Sequence, residues 1–407
     1  MVHGSLARLG AGTFCSAVGN GAWYTSWALF LTRSVGLSPA EVGFGMLLAG
    51  AAGLLAATPL GWLADRLGAR EVYAGLLLIQ GAAALAYLAV GGPLAFVAVA
   101  CLAEAARAGG GARNALVLSL CERDEDRLSA LGALRSVSHF GWAAGAVAGA
   151  VIIGVDSRAA YVALLVLNGA SYLAYAALVA GLPRAGAAPS RRSRGVARDA
   201  PYMTLAGLMG VLALCWAMMS SGLPLWVALH TDAPRSISAV IVIVNSLAIA
   251  LLQVRVSRAI VAPAVAARGA LLSGTLLAAS CVLFALTAGG GGWAVVAALV
   301  AAGIAHTAGE LVFVAASWGL SVPLMPADAP GEYQGVFATG EATALMAAPA
   351  LMTTLVADWG QPGWLVLAAI FLVPAATAIP ATRWALRARR GTRSASGRVA
   401  SASGRPT

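Results

Sequence analysis

Three carboxylates stand where an apolar chain has little reason to carry charge: Glu104, Glu310 and Glu341, each inside a long hydrophobic run. An ionised side chain at the centre of a bilayer costs about 2.5 kcal/mol or more, which makes such residues candidates for handling protons or substrate. Arg107 follows Glu104 by three positions, so on a helix the two share a face and pair. Two roles stay open for this pair. It is either a neutralised brace between helices or a proton site whose affinity depends on whether Arg107 engages Glu104 or a substrate. Glu310 and Glu341 have no arginine nearby in their own runs, so each is expected to be protonated or paired across helices. His139 and His306 also lie in apolar runs, where helix-to-helix hydrogen bonding is the expected role. Arg135 is placed near one end of its run and is expected to snorkel.

A second set has the character of a binding surface. Asn20, Trp23, Tyr24 and Trp27 fall in the first run, and Trp142 in the fifth. Met209, Trp216, Met218, Met219 and Ser220 fall in the seventh, and Asn245 in the eighth. Rings and methionines give an adaptable apolar surface with a few polar anchors, suited to varied hydrophobic ligands. Trp226, Trp364 and Trp384, near the ends of runs, fit an interfacial aromatic belt instead.

The elements that position these residues follow from composition. The chain is 60% hydrophobic and 10% charged, against about 25% charged in a soluble domain; its mean hydropathy is +0.84. A spanning helix takes roughly 20 apolar residues. Twelve such stretches are expected, near 9–32, 41–63, 72–90, 94–120, 128–154, 159–181, 201–229, 237–257, 267–288, 293–321, 333–357 and 362–386. The runs are solid and do not alternate, which excludes a membrane β-barrel. All 26 basic residues are Arg. With the N-terminus inside, 20 of the 26 fall in cytoplasmic segments, against Arg33, Arg158 and Arg235 outside. That asymmetry orients the chain with both termini cytoplasmic. The net charge of +10 follows from this topology, and no nucleic-acid partner is expected. Cys15, Cys101, Cys121, Cys215 and Cys281 show no metal spacing. The first run is of spanning length and lacks a clear cleavage site, so no cleavable signal peptide is expected.

The Arg- and Pro-containing segment 182–200 reads as a cytoplasmic linker between a six-helix bundle over 1–181 and another over 201–386. Residues 387–407, rich in Arg, Ser, Gly and Ala, read as a disordered basic tail able to touch anionic lipid. The halves echo each other. Ala103-Glu104-Ala105 matches Gly309-Glu310-Leu311, and Gly141-Trp142 is loosely matched by Gly340-Glu341.

One loop is more specific than topology requires: Gly61-Trp62-Leu63-Ala64-Asp65-Arg66-Leu67-Gly68-Ala69-Arg70. Gly61 permits close backbone approach, Gly68 a left-handed turn, and Asp65 a helix cap or an ion pair. The loop resembles G-x-L-a-D-r-x-G-r, the signature of the major facilitator superfamily between its second and third helices. The resemblance implies an all-α membrane fold of two six-helix bundles around a central cavity, alternating access, and a monomer. It implies a gating role for Gly61, Asp65, Arg66, Gly68 and Arg70. The matching loop of the second half, Gln253-Val254-Arg255-Val256-Ser257-Arg258, lacks Asp and Gly, so an asymmetric clamp is expected.

Further blocks resemble bacterial twelve-span drug–proton antiporters. They include Arg107-Ala108-Gly109-Gly110-Gly111-Ala112, the Asn245 to Gln253 stretch, and the run from Gly309-Glu310 through Gly340-Glu341. Exporters of this kind carry g-x-x-x-G-P-x-x-G-G in the fifth span; here Gly141, Gly145 and Gly149 keep glycine spacing, but Ala146 replaces the proline. The resemblance implies proton-coupled export of a small hydrophobic drug or secondary metabolite across a bacterial inner membrane. Proton coupling is assigned to Glu104, Arg107, Glu310 and Glu341. Substrate contact is assigned to Asn20, Trp23, Tyr24, Trp27, Trp142, Trp216 and Asn245. The proton motive force supplies the energy, with no cofactor and no metal. Nutrient uptake is the alternative, disfavoured by few Asn and Gln in the spans, chiefly Asn20, Gln80, Asn114, Asn168 and Asn245. A non-transporting sensor or scramblase is a third option, and no catalytic constellation points to an enzyme.

Overall fold

The computed structural model describes residues 2–183 and 195–403, with side chains over 4–183 and 195–390. Among the described residues there are long helices and no strand. We number them α1 (2–34), α2 (Pro39–Leu67), α3 (Ala69–Ala89), α4 (Pro93–Ser119), α5 (Asp124–Val155) and α6 (Arg158–Ala180) in the first half. The second half holds α7 (Ala200–His230), α8 (Ser236–Ala259), α9 (Pro263–Ala285), α10 (Gly292–Leu324), α11 (Pro330–Asp358) and α12 (Gln361–Ser403). Each coincides with one expected span. Eleven are long and apolar enough to cross a membrane.

The exception is α1, whose polar residues explain the difference. Thr13 shares a hydrogen bond with Tyr175, Asn20 accepts one from the Tyr172 hydroxyl, and Ser26 donates back to the Ala22 carbonyl. These groups are satisfied inside the protein, so α1 needs less lipid-facing apolar surface. It runs the full height of the bundle. Arg8 reaches the Gly181 carbonyl at one end, and Arg33 pairs with Asp156 at the other. There the Tyr161 hydroxyl and then Arg33 hold the Asp156 carboxyl below the usual carboxylate range.

Glycines set how closely helices approach. On α5, Gly141, Gly145 and Gly149 lie against the α1 backbone. A Cβ at Gly145 would stand 2.1 Å from the Val18 carbonyl oxygen. In the second half Gly340 of α11 meets Gly210 of α7 in the same way, so the weak echo between the halves corresponds to equivalent packing. Close backbone approach through small residues is how helices associate in lipid, where burial of apolar surface gives little drive.

Two boundaries depart from expectation. Helix α4 breaks at Ala108–Gly109, where Gly109 packs on Leu76. Helix α12 continues past residue 386 to Ser403, where the sequence reading begins a disordered tail. Its extension is anchored at Arg389, which donates to the Leu324 carbonyl and pairs with Asp199. Linker residues Arg184, Pro189, Arg191, Arg192 and Arg194 lie outside the described residues.

Gly145→Ala should lower the apparent melting temperature in detergent, since overpacking a tight contact costs about 1–3 kcal/mol. Gly50→Ala, with open space at its Cβ, should not. Equal melting temperatures for the two variants would contradict the packing account.

Candidate functional site

The face of the bundle that carries the termini holds most arginines; the opposite face is called the far face below. The two halves meet towards the arginine-rich face. Helix α11 begins at Pro330, and its N-cap residue, Ala329, has no side chain able to cap it. The first turn of a helix leaves N–H groups without partners and carries partial positive charge. Asp65, at the end of α2 in the other half, supplies what is missing. Its two carboxylate oxygens accept from Gly331 N and Glu332 N, each at 2.7 Å.

Glycine makes that reach possible. A Cβ at Gly61 would lie 2.0 Å from the Gly331 carbonyl oxygen, and one at Gly331 would lie 2.2 Å from that of Gly61. Gly111 and Gly335 continue the seam against α11 and α2. Along the same seam Thr58 bonds Thr339 at 2.7 Å, and Asn114 donates to Gln334 at 3.3 Å. The second contact between halves pairs α5 with α8, where Gly132 lies against Ser257 and Arg258 donates to Ser129. The side chain of Ser257 thus occupies the place that the loop motif of the first half gives to charge and glycine.

The other loop residues contact the first half and the start of the linker. Arg66 stacks over Trp62 at 4.0 Å. Arg70 donates to the Leu182 carbonyl at 2.6 Å and to Glu71. Gly68 takes φ +100° in the turn between α2 and α3, the left-handed region that glycine enters without strain.

Above this seam the first half lines a half-open cavity of about 60 Å³, room for a few water molecules. Asn20, Trp23, Tyr24 and Trp27 of α1 line it with Gln80, Tyr87, Glu104, Arg107, Asn168 and Tyr172. Arg107 Nε donates to Glu104 Oε2 at 2.7 Å, and the Tyr24 hydroxyl reaches Glu104 Oε1 at 3.4 Å. The Arg107 side chain remains 53% exposed, while Glu104 is 14% exposed. The pair therefore faces the cavity from one wall, with its guanidinium accessible. Trp142 stands behind Tyr24, with ring centroids 5.0 Å apart, as a support to the cavity wall. Asn168 Oδ1 is buried without a hydrogen-bond partner.

Trp216 and Asn245 belong elsewhere. They join a buried cluster centred on Glu310, which is 3% exposed. Arg135 of α5 donates to Glu310 Oε1 at 2.7 Å, and Asn245 of α8 donates to Oε2 at 2.9 Å. His306 Nε2 lies 3.7 Å from Oε2. The Arg135 guanidinium sits 5.5 Å from the centre of the Trp216 ring. Sequence spacing did not single out Arg135, because its partner is 175 positions away. It does not snorkel: it turns inward to a carboxylate. Glu341 lies on α11 with Arg135 as its electrostatic neighbour, apart from the cavity. Among the described residues, no group of His, Cys, Asp and Glu could hold a metal.

Asp65→Asn leaves a side chain that accepts through one oxygen only, so at least one hydrogen bond to a charged group is lost, worth about 1.5–3 kcal/mol. The closed seam should weaken by roughly tenfold or more. Gln334→Cys, at a position 2% exposed, reports it: labelling by a hydrophilic maleimide should quicken at least tenfold in the Asp65→Asn background. An unchanged rate would contradict the part assigned to Asp65 in holding the seam.

Comparison with known proteins extends this picture. The family model described as Major Facilitator Superfamily matches residues 9–349. Comparison with curated proteins finds no match. Among solved structures, the chain is similar to a bacterial homologue of the iron transporter ferroportin in an outward-facing state, with a TM-score of 0.73 and 15% identity, covering 94% of this chain and 99% of that one. It is similar to the human organic anion transporter MFSD10, with a TM-score of 0.64 and 15% identity over 93% of this chain and 99% of that one. It is also similar to the proton:xylose symporter XylE bound to 6-bromo-6-deoxy-D-glucose, with a TM-score of 0.67 and 13% identity over 92% and 94%. At these identities the likeness establishes the fold. With its family model covering residues 9–349, the chain belongs to the major facilitator superfamily, as a membrane transporter and not an enzyme.

Proposed function

We propose that this transporter exports a small, largely apolar molecule in exchange for protons, across a bacterial cytoplasmic membrane with both termini inside. The observation that carries the reading is the Glu104–Arg107 pair set into an aromatic-lined cavity. At the cavity wall Arg107 pairs with Glu104 and neutralises it. A proton on Glu104, or a donor group of a substrate against it, meets the same carboxylate, so proton and substrate exclude each other there. Mutual exclusion at one carboxylate, combined with a cavity that opens to one side at a time, yields antiport. Trp23, Tyr24, Trp27, Tyr87 and Tyr172 supply the apolar and stacking surface. In the present conformer the cavity holds only a few waters, whereas a drug-sized ligand needs roughly 300 Å³ or more. Loading therefore goes with widening of the cavity. Gradient energy drives the cycle, and no bound cofactor takes part in this reading.

A second reading rests on a specific observation. Three of the few amides in the spans, Asn20, Gln80 and Asn168, gather on the cavity wall. Such a wall suits a polar nutrient brought in together with protons.

Inverted membrane vesicles with an acidic interior discriminate between the two. Hydrophobic cations and neutral drugs added outside should speed collapse of the proton gradient, and Glu104→Gln should slow that response at least tenfold. Gradient collapse at the wild-type rate in Glu104→Gln would contradict proton exchange at this carboxylate. Silence to the drug panel, with sugar accumulation by intact cells in acidic medium, would favour uptake.

A further inference from the structure

A charged cluster on the arginine-rich face belongs neither to the cavity nor to the Asp65 seam. Its centre is Asp199, whose side chain is 10% exposed. One oxygen accepts from Tyr202 N at 3.3 Å and caps the start of α7. The other accepts from the Tyr333 hydroxyl at 2.9 Å and pairs with Arg389. Arg389 also donates through Nε to the carbonyl of Leu324, the last residue of α10, at 2.8 Å. Its guanidinium lies 6.0 Å from the centre of the Tyr333 ring. The Tyr202 hydroxyl reaches the carbonyls of Ser321 and Tyr333, and its ring meets the Tyr333 ring edge-on, with centroids 4.6 Å apart. Helices α7, α10, α11 and α12 are thus joined at one carboxylate and one guanidinium.

This knot bears on the first turn of α11. Tyr333 directly follows Gly331 and Glu332, whose N–H groups are the ones that Asp65 caps. Glu332 is held as well, since its side chain accepts from Val196 N at 2.9 Å. Helix ends fray, and Ala329 gives this one no cap of its own. A hydrogen bond weakens steeply as donor and acceptor swing out of line. The two 2.7 Å bonds to Asp65 therefore require the turn to be held from its own half. Asp199 holds it through Tyr333. Without Arg389 that carboxylate keeps neutral donors but loses its cation in a largely buried place, where an unpaired charge is costly. It then turns to water and releases Tyr333.

We infer that the C-terminal extension of α12 takes part in closing the arginine-rich side: Arg389, acting through Asp199 and Tyr333, is a positioning residue that sets the first turn of α11 for capping by Asp65. The inference rests on the Asp65 seam and holds whatever the substrate. The partners of Arg389 named here all lie in the second half, so its effect on the first half passes through α11. The residue stands past the last expected span, 362–386, in a stretch whose composition reads as a tail.

Maleimide labelling of Gln334→Cys tests this without a substrate, in purified, reconstituted full-length protein with Cys15 and Cys101 replaced by Ser. Arg389→Gln should quicken labelling roughly threefold, as for loss of a partly exposed ion pair. Tyr333→Phe removes only the hydroxyl that joins α11 to Asp199 and should quicken it too. Arg390→Gln, at an exposed neighbour, should leave the rate unchanged. The Asp65→Asn/Arg389→Gln double variant separates positioning from general bracing. If Arg389 acts through the capped turn, it adds little once the cap is weakened, so the double variant should label about as fast as Asp65→Asn alone. Wild-type labelling in both Arg389→Gln and Tyr333→Phe would overturn the inference. So would equal quickening by Arg390→Gln, or a double variant roughly threefold faster than Asp65→Asn. Asp65→Asn without effect on labelling would remove the seam, and the inference with it, while leaving the proton-exchange reading of Glu104 to its own test.

Discussion

The architecture turns on one bond pattern: a carboxylate of one half capping a helix of the other. Helix α11 presents its unsatisfied N–H groups to Asp65, and its own N-cap, Ala329, has nothing to offer. An intrahelical cap would make α11 self-sufficient. A cap lent from the opposite half makes closure of the seam and completion of the helix the same event. The flanking glycines serve this bond, since Gly61 and Gly331 allow backbones to approach to a distance that no side chain would permit. A clasp of this kind holds by few but strong interactions, so it is firm when closed and lost as a unit when the halves part.

The clasp is one-sided. Its counterpart between α5 and α8 packs Ser257 against Gly132 and has Arg258 donate to the Ser129 hydroxyl, with no carboxylate in either contact. Charge on that side is placed deeper, as Arg135 and Glu310. The two seams therefore differ in kind: one is a helix-terminus clasp near the surface, the other an ion pair at membrane depth. In the second arrangement burial ties the charge state to the distance between partners. The cavity itself belongs to the first half in this conformer, with Glu104 and Arg107 on one wall and α1 aromatics across from them.

Much of this was legible in the sequence, for identifiable reasons. Span number and order follow from apolar runs, which lipid demands. The Asp65 clasp was legible because Gly61, Asp65 and Gly68 occur at a spacing that few other constraints produce. The Glu104–Arg107 pair was legible because both partners sit on one helix at three-residue spacing. Arg135–Glu310 was not, since pairing across 175 positions leaves no local pattern. For the same reason residue type alone groups Trp216 and Asn245 with the cavity although they pack around Glu310, and Trp142 although it stands behind Tyr24. The helical extension of α12 was also hidden, because its Arg- and Ser-rich composition suggests a tail and only the Asp199 and Leu324 contacts of Arg389 reveal an anchor. Residue type gave candidates; the partners came from topology.

On the proposed function, one cavity serves both sides of the membrane in turn. Ala103 lines that cavity beside Glu104, so Ala103→Cys, with Cys15 and Cys101 replaced by Ser, reports its exposure. Membrane-impermeant maleimide would be applied separately to the far face and to the arginine-rich face. Labelling is expected from the far face in otherwise wild-type protein, with labelling from the arginine-rich face appearing when Asp65 is replaced by Asn. Labelling from one face only, whatever the state of Asp65, would contradict it.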